Sequence, residues 1–156
     1  MMIISKSYNI GNAKDCLMDN ITKILGFDFG LRRIGVAVGQ RFTGTASPDT
    51  TLLANDGEPN WQEVSNLITT WQPQALLVGM PLNMDGSISV MATRAEDFAK
   101  KLETRFNLTV FRIDERLSTF EAKSEFMRVR GQTGMKKGQK VDAFAAVILV
   151  EAWLGL

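Results

Sequence analysis

The stretch KILGFDFGLRRIGVAVGQ, residues 23–40, decides the fold of this chain. Its first part, from Lys23 to Gly30, is short, mostly apolar and closed by a glycine, which is typical of a buried strand. After a three-residue turn, the part from Ile34 to Gln40 alternates branched apolar side chains with glycine and alanine, as expected for a strand that pairs with the first. The sequence therefore predicts that the domain begins with an antiparallel hairpin.

The segments that follow predict alternating helices and strands. Threonine-rich residues 43–53 predict a third strand, and Pro48 predicts that part of this strand lies at an edge. Helical spacing of apolar residues and short apolar runs predict the rest. In chain order these are a helix over 61–71, a strand over 75–79, a helix over 91–106, a strand over 108–113 and helices over 119–129 and 141–154. The order β-β-β-α-β-α-β-α-α predicts an α/β fold with a mixed sheet and helices on its faces.

Length and composition predict a single globular domain: the chain has 156 residues, of which 45% are hydrophobic and 22% charged. Residues 1–22 show no periodicity, so we expect them to form a poorly ordered N-terminal extension before a domain over 23–156, with Met18 as a candidate start of the folded unit. The longest apolar stretch, 141–149, is too short to cross a bilayer, and the N-terminus lacks an apolar signal core. The expected location is the cytoplasm.

Composition also restricts the chemistry that the chain can perform. It has no histidine and a single cysteine, Cys16, which excludes an internal disulfide framework, a cysteine-based zinc site and the commonest general base. Because the formal net charge is only +1, a nucleic-acid partner would have to be met by a local basic patch.

Acidic residues lie in or next to three apolar segments, where a charge is costly unless it is paired or bound to a metal. Asp28 lies in the first strand between two phenylalanines, Asp114 and Glu115 follow the last strand, and Asp142 is the only charged residue in its part of the last helix. Each has a structural alternative: a turn for Asp28, an ion pair with Arg116 for the adjacent acids, and helix capping for Asp142.

The combination of these acids favours a shared site. The carboxyl ends of strands in an α/β sheet gather functional groups, and both Asp28 and the pair Asp114–Glu115 occupy such ends; alternation along the strand predicts that at most one of the pair enters the site. Two carboxylates about 5 Å apart repel by about 3 kcal/mol at an effective dielectric constant of about 20, so cations or protons must compensate a cluster that includes Asp142. Ligands that are all oxygen select Mg²⁺ or Mn²⁺.

Two further segments are candidates for substrate binding. RVRGQTGMKKGQK, residues 128–140, has five basic residues and no acid, which predicts a mobile basic loop able to hold phosphates; a solvated loop without function is the alternative. PLNMDG, residues 81–86, directly follows the fourth strand, where Asn83 and Asp85 either contact a substrate or form an ordinary turn.

Four ordered blocks resemble the YqgF (RuvX) family of Holliday junction resolvase-like nucleases, which have the ribonuclease H fold. The resemblance runs from Ile24 to Leu154. The blocks are GFDFGLRRIGVAVG at 26–39, VGMPLNMDG at 78–86, DERLST at 114–119 and KVDAFAAVIL at 140–149. The resemblance implies a ribonuclease H-like, five-stranded mixed sheet in which an antiparallel meander is followed by parallel strands, with helices on both faces.

The resemblance also implies an activity and its residues. The expected function is that of a metal-dependent endonuclease, using Mg²⁺ or Mn²⁺, in the maturation of the 5′ end of pre-16S ribosomal RNA, with branched DNA as a further substrate. Asp28, Glu115 and Asp142 would form the catalytic, metal-binding site, with Asp114 as a fourth candidate. Better-known resolvases of this fold carry an acid at the end of the fourth strand, where this chain has residues 79–81, Gly-Met-Pro. The resemblance therefore implies that the following strand supplies this acid.

Basic and polar side chains would position the substrate in this reading. We expect Arg116 and the basic loop to hold the scissile phosphate, since phosphate contacts fix register without reading sequence, and Asn83 and Asp85 to orient a nucleotide or the attacking water. The candidate basic residues of the loop are Arg130, Lys136, Lys137 and Lys140. The expected partners are pre-rRNA or DNA and a precursor of the ribosomal subunit, with the chain acting as a monomer or a homodimer.

Two alternatives stay open at this point. One is a non-catalytic RNA-binding factor of ribosome assembly, in which the acids only tune stability. The other takes residues 28–30, Asp-Phe-Gly, with Gly35 as the phosphate loop of an actin-like or sugar-kinase ATPase. Length argues against the ATPase, because its nucleotide cleft lies between two such domains and this chain has the length of one.

Overall fold

The structure, a computed structural model, describes residues 20–117 and 137–156, with positions 117 and 137–141 described by their backbone alone. The helix expected over 119–129 and nearly all of the expected N-terminal extension lie outside the described residues. The strands are β1 Lys23–Asp28, β2 Arg33–Gln40, β3 Thr45–Asn55, β4 Glu58–Pro59, β5 Ala75–Met80 and β6 Thr109–Asp114. The helices are α1 Trp61–Trp71, α2 Val90–Phe106 and α3 Lys137–Leu154, with a 3₁₀ turn at Glu115–Leu117.

The strands form one mixed sheet in the order β4-β3-β2-β1-β5-β6. Strands β1, β2 and β3 pair antiparallel, whereas β5 pairs parallel to β1 and β6 parallel to β5. This arrangement confirms the predicted α/β fold with an antiparallel meander followed by parallel strands. The outer side of β3 lacks a strand partner from Thr45 to Leu53 among the described residues, in agreement with the edge position predicted from Pro48.

A sixth strand, β4, was not predicted and adds two residue pairs to the end of β3. The connecting residues Asp56 and Gly57 both have positive φ angles, 51° and 83°, as a tight two-residue hairpin turn requires. The Asp-Gly dipeptide is the sequence signal for such a turn. It was missed because a strand of only two residues, Glu58 and Pro59, has no visible periodicity.

Two apolar layers cover the two faces of the sheet, as alternation along β1 shows. Leu25 and Phe27 face the layer that contains α1 and α2, whereas Ile24 faces the layer that contains α3. Helix α2 contributes Phe98, among others, to the first layer, and α3 contributes Trp153 to the second. The prediction of helices on both faces is therefore confirmed.

The last helix begins earlier than predicted, at Lys137 rather than at residue 141. Lys137 and Lys140 therefore belong to a helix, and the expected basic loop cannot extend to them. The boundary was placed too late because polar helix-forming residues precede the apolar ones, so that periodicity begins only after the helix does. Asp142 consequently lies beyond the first turn, which excludes the capping role considered for it. No helix among residues 20–117 and 137–156 has the length and apolar character needed to cross a membrane.

Candidate active site

The register of the central strands places Asp28 between two glycines. In the antiparallel pair of β1 and β2, Asp28 lies opposite Gly35. In the parallel pair of β1 and β5, Phe27 lies opposite Val78, so that the next position of each strand brings Asp28 beside Gly79. Neighbouring strands are about 4.8 Å apart, so these positions form a short row across the sheet with the acid at its centre.

The side chain of Asp28 lies on the face of the sheet that α3 covers. Period-two alternation puts it on the same face as Ile24 and Gly26. Ile24 packs with residues of α3, and a Cβ on Gly26 would overlap the Cγ2 atom of Val150. The glycine therefore allows α3 to approach the strand that carries Asp28.

Asp142 reaches this row from α3, next to Gly35. A Cβ placed on Gly35 would overlap the backbone oxygen of Asp142, so the helix backbone touches β2 at a position that only glycine allows. Because Gly35 is the partner of Asp28 in the ladder, the two aspartates come from neighbouring positions. This contact explains how residues 114 positions apart in the chain are brought together.

The carboxylate of Asp142 is poorly compensated. Its Oδ2 atom is buried and accepts no hydrogen bond within the described part of the chain. The cation beside it within the described residues is the half-exposed Arg33, whose Nε atom lies 3.8 Å away. Burial raises the pKa of Asp142, and the charge of Arg33 opposes this shift only in part. A buried acceptor of this kind favours a proton or a cation beside it.

Glu115 lies on the other side of the row, above Gly79. A Cβ on Gly79 would lie 2.8 Å from Oε1 and 3.1 Å from Cγ of Glu115, so the glutamate occupies the space that a side chain at position 79 would fill. Leu149 of α3 closes the same space from above, with its Cδ1 atom 2.6 Å from that Cβ position. A carboxylate therefore lies at the end of β5 even though β5 itself supplies none.

Asp114 forms the ion pair that was considered as an alternative for the two adjacent acids. The guanidinium of Arg116 donates to both of its carboxylate oxygens, with Nε 3.0 Å from Oδ1 and 2.9 Å from Oδ2, and the backbone N–H of Arg116 also donates to Oδ1. Glu115 lies in the 3₁₀ segment, with its side chain against Gly79. The adjacent acids thus have separate surroundings.

The loop over residues 81–87 is closed by hydrogen bonds among its own polar groups. Asn83 donates to the hydroxyl of Ser87 at 3.0 Å, and Ser87 donates through its backbone N–H and its hydroxyl to Asp85 at 2.9 and 2.6 Å. These bonds lower the pKa of the Asp85 carboxyl. Arg116 donates to the backbone oxygen of Met84 at 3.2 Å and so connects the loop to the end of β6. The side chains of Asn83 and Asp85 thus form hydrogen bonds within the loop itself.

The structure describes the remaining predicted residues only in part. Arg130 and Lys136 lie outside the described residues, and Lys137 and Lys140 are described by their backbone alone. Sequence reasoning missed Arg33, which is the cation beside Asp142. The sequence feature that could have indicated Arg33 is its position directly after the turn that follows Asp28.

The proposed site acids are spread along the row of Gly35, Asp28 and Gly79 and do not surround a single point. Among the described residues, no three Asp, Glu, His or Cys side chains lie close enough together to hold one metal ion. Asp28 instead has a neighbouring acid on each side, one at Gly35 and one at Gly79. The donor set is all oxygen, which suits Mg²⁺ or Mn²⁺.

Comparison with known proteins gives consistent matches. A family model described as "RuvX: Holliday junction resolvase" matches residues 22–155. The chain is 52% identical over 137 residues to the "Putative pre-16S rRNA nuclease" of Pseudomonas putida, covering 88% of this chain and 97% of the relative. It is 53% identical over 131 residues to the protein of the same name from Pseudomonas fluorescens, covering 84% and 90%.

Solved structures with a similar fold include two proteins bound to Holliday junctions. RuvC of T. thermophilus in complex with a Holliday junction substrate has a TM-score of 0.52 and 13% identity, covering 86% of this chain and 96% of that one. The resolvase of Fowlpox virus in complex with Holliday junction DNA has a TM-score of 0.52 and 16% identity, covering 85% and 97%. At these identities the likeness shows a common ribonuclease H-type fold.

Proposed function

Since the chain belongs to the RuvX family of Holliday junction resolvases, and is thus a nuclease that binds nucleic acid, we propose that it cleaves the precursor of 16S ribosomal RNA during maturation of the 5′ end. The observation that carries the proposal is the row across the sheet, in which Asp28 lies between two glycines that each face another acid. The relatives named as nucleases of pre-16S rRNA support the choice of substrate. Such an enzyme would work in the cytoplasm on a ribosomal precursor, as the sequence predicts.

We propose Asp28, Glu115 and Asp142 as the catalytic, metal-binding residues. Two features of the structure fit a divalent cation: the buried Oδ2 of Asp142 accepts no hydrogen bond from the described residues, and the acids that flank Asp28 provide only oxygen ligands. Mg²⁺ or Mn²⁺ would activate water and stabilise the departing oxyanion.

The residues around the acids position them and the substrate. Gly79 leaves room for Glu115, and Gly35 lets α3 bring Asp142 to the strand of Asp28. Arg116 holds the 81–87 loop against the end of β6, which favours a role in orienting Asn83 and Asp85 toward a nucleotide. Phosphate binding by Arg130, Lys136, Lys137 and Lys140 stays a prediction.

A cleavage assay tests this proposal directly. Wild-type chain should cleave a pre-16S rRNA transcript in Mg²⁺ or Mn²⁺, whereas Asp28→Asn should lose cleavage by at least about 10²-fold, because it removes the central charge of the row. Asp97→Asn is the matched control, since Asp97 is an exposed acid of α2, and should cleave as wild type.

The alternative of a non-catalytic assembly factor predicts a different result. The transcript would be bound in a salt-dependent manner, but no metal-dependent cleavage would be seen in the wild-type chain. Unchanged cleavage by Asp28→Asn would equally contradict the assignment of the site. Mapping of the cut on pre-rRNA and on a four-way DNA junction distinguishes the two substrates.

A further inference from the structure

We propose that Arg33, a residue outside the acidic set, binds the substrate phosphate at the edge of the site. The proposal rests on the proposed function, because it takes the acidic row as the place of cleavage. Arg33 is the first residue of β2, and the Nε atom of its guanidinium lies 3.8 Å from the buried Oδ2 atom of Asp142. Among the described side chains, it is thus a cation that borders the acids on the β2 side.

The backbone at Arg33 is held firmly. Position 33 pairs with Leu53 in the β2–β3 ladder. The preceding turn is tied to the β3–β4 hairpin by hydrogen bonds from Ala54 to the oxygen of Arg32, at 2.8 Å, and from Gly57 to the oxygen of Leu31, at 2.8 Å. A group mounted on a fixed backbone loses less entropy when it binds a ligand than one on a free loop.

The side chain of Arg33, in contrast, makes only a long contact within the described part of the chain. Half of it is exposed (53%), and its contact with Asp142 is longer than a hydrogen bond. Arg116, at the other end of the row, donates to both oxygens of Asp114 and to the backbone of Met84. The guanidinium of Arg33 can therefore present its N–H groups to a phosphate without breaking a strong bond, whereas Arg116 cannot.

Charge explains why such a cation is needed. The row presents three acids to a polyanionic strand, so a phosphate that approaches Asp28 meets repulsion unless a positive charge lies beside it. Arginine binds phosphate through two parallel N–H donors, which fixes orientation as well as position. Arg33 suits this role better than a lysine would, because its planar group can contact the phosphate while staying near Asp142.

Binding of RNA tests the proposal without relying on cleavage. The full chain carrying Asp28→Asn is titrated with a fluorescein-labelled single-stranded RNA that spans the 5′ boundary of 16S rRNA, over a series of salt concentrations. Arg33→Gln in this background should weaken binding and reduce the slope of log K against log salt by about 0.7 to 1, the effect of one lost phosphate contact. Arg33→Lys should restore the slope but only part of the affinity.

The matched control is Arg41→Gln, which removes the same charge about 26 Å away, just beyond the opposite end of β2. It should leave the slope of the Asp28→Asn chain unchanged. Equal affinities and slopes for Arg33→Gln and Arg41→Gln would overturn the proposal, provided that thermal melting shows both variants folded. If Arg33→Gln is unfolded, Arg33→Lys is compared with Arg41→Gln by affinity alone, and equal affinities would overturn the proposal. Failure of the proposed function would appear separately, as cleavage by Asp28→Asn itself.

Discussion

At the scale of single residues, Asp142 shows how the charge of a proposed catalytic residue costs stability. Burial raises the pKa of its carboxyl above the ordinary value of 3.8, so the folded chain holds this proton more tightly than the unfolded chain. The free energy of unfolding therefore falls as pH rises from about 3.8 through the raised pKa, and the cost is fully present above it. A charge that destabilises the fold is common among functional residues, in agreement with the role proposed for Asp142.

We therefore expect Asp142→Asn to stabilise the chain at pH 7 in a metal-free buffer. The increase in Tm should be at most a few degrees, because the carboxylate is only partly buried and solvent screens its charge. The gain should vanish below about pH 3.8, where Asp142 is protonated in both states. Thermal melts followed by circular dichroism across this pH range provide the measurement.

Asp85→Asn is the control for this prediction. The pKa of Asp85 is lowered because Ser87 donates two hydrogen bonds to it, so neutralising this acid should not raise Tm. A Tm of Asp142→Asn at or below that of wild type at pH 7 would show that the charge is compensated in the folded chain.

At the scale of elements, the sequence predicted most of the strands and helices. It did not predict the shortest strand, the start of the last helix or the close contacts that depend on strand register. Strand β5 was evident because it is apolar throughout, as a strand covered on both faces must be. The strand β4 and the first turn of α3 were missed, since two residues show no period and a polar helix end shows no apolar face. The close approaches at Gly35 and Gly79 depend on register, which is set by contacts distant in the chain.

Gly79 provides a test of this element-level geometry. Gly79→Ala places a methyl group 2.8 Å from the Glu115 carboxylate and 2.6 Å from Leu149, so both side chains must move. They are flexible ends, and we expect the fold to survive while cleavage falls by about 10²-fold, the effect of displacing a catalytic group by about 1 Å. Rates of rRNA cleavage, with circular dichroism as a check of folding, measure this.

Gly155→Ala serves as the comparison for Gly79→Ala. Its added methyl group would meet its nearest neighbour, the backbone oxygen of Glu151, at 3.5 Å, an ordinary contact distance. This variant should cleave as wild type. Wild-type cleavage by Gly79→Ala would show that the position of Glu115 above β5 does not matter for the reaction.

At the scale of the whole molecule, alternation and strand ends sufficed to nominate the acids but not to show how they meet. The face of Asp28 followed from its spacing to Ile24 and Gly26, and the structure agrees. Alternation also predicted that Asp114 and Glu115 would separate, as the structure shows. Which of the two would lie over β5 could not be predicted from alternation. It depends on the 3₁₀ turn after β6, and a three-residue turn carries no periodic signal.

The proposed metal site joins β1, the end of β6 and α3, so its occupation should stabilise the whole domain. A ligand that binds only the folded chain raises its stability by RT ln(1 + [L]/Kd), or about 2.7 kcal/mol at about one hundred times Kd. We expect Mn²⁺ to raise the Tm of the wild-type chain and of Asp97→Asn by several degrees, measured by differential scanning calorimetry. Asp28→Asn should show little increase, because it lacks the acid between the other two. An equal increase in Asp28→Asn and Asp97→Asn would mean that Mn²⁺ binds elsewhere and that Asp28 is not a metal ligand.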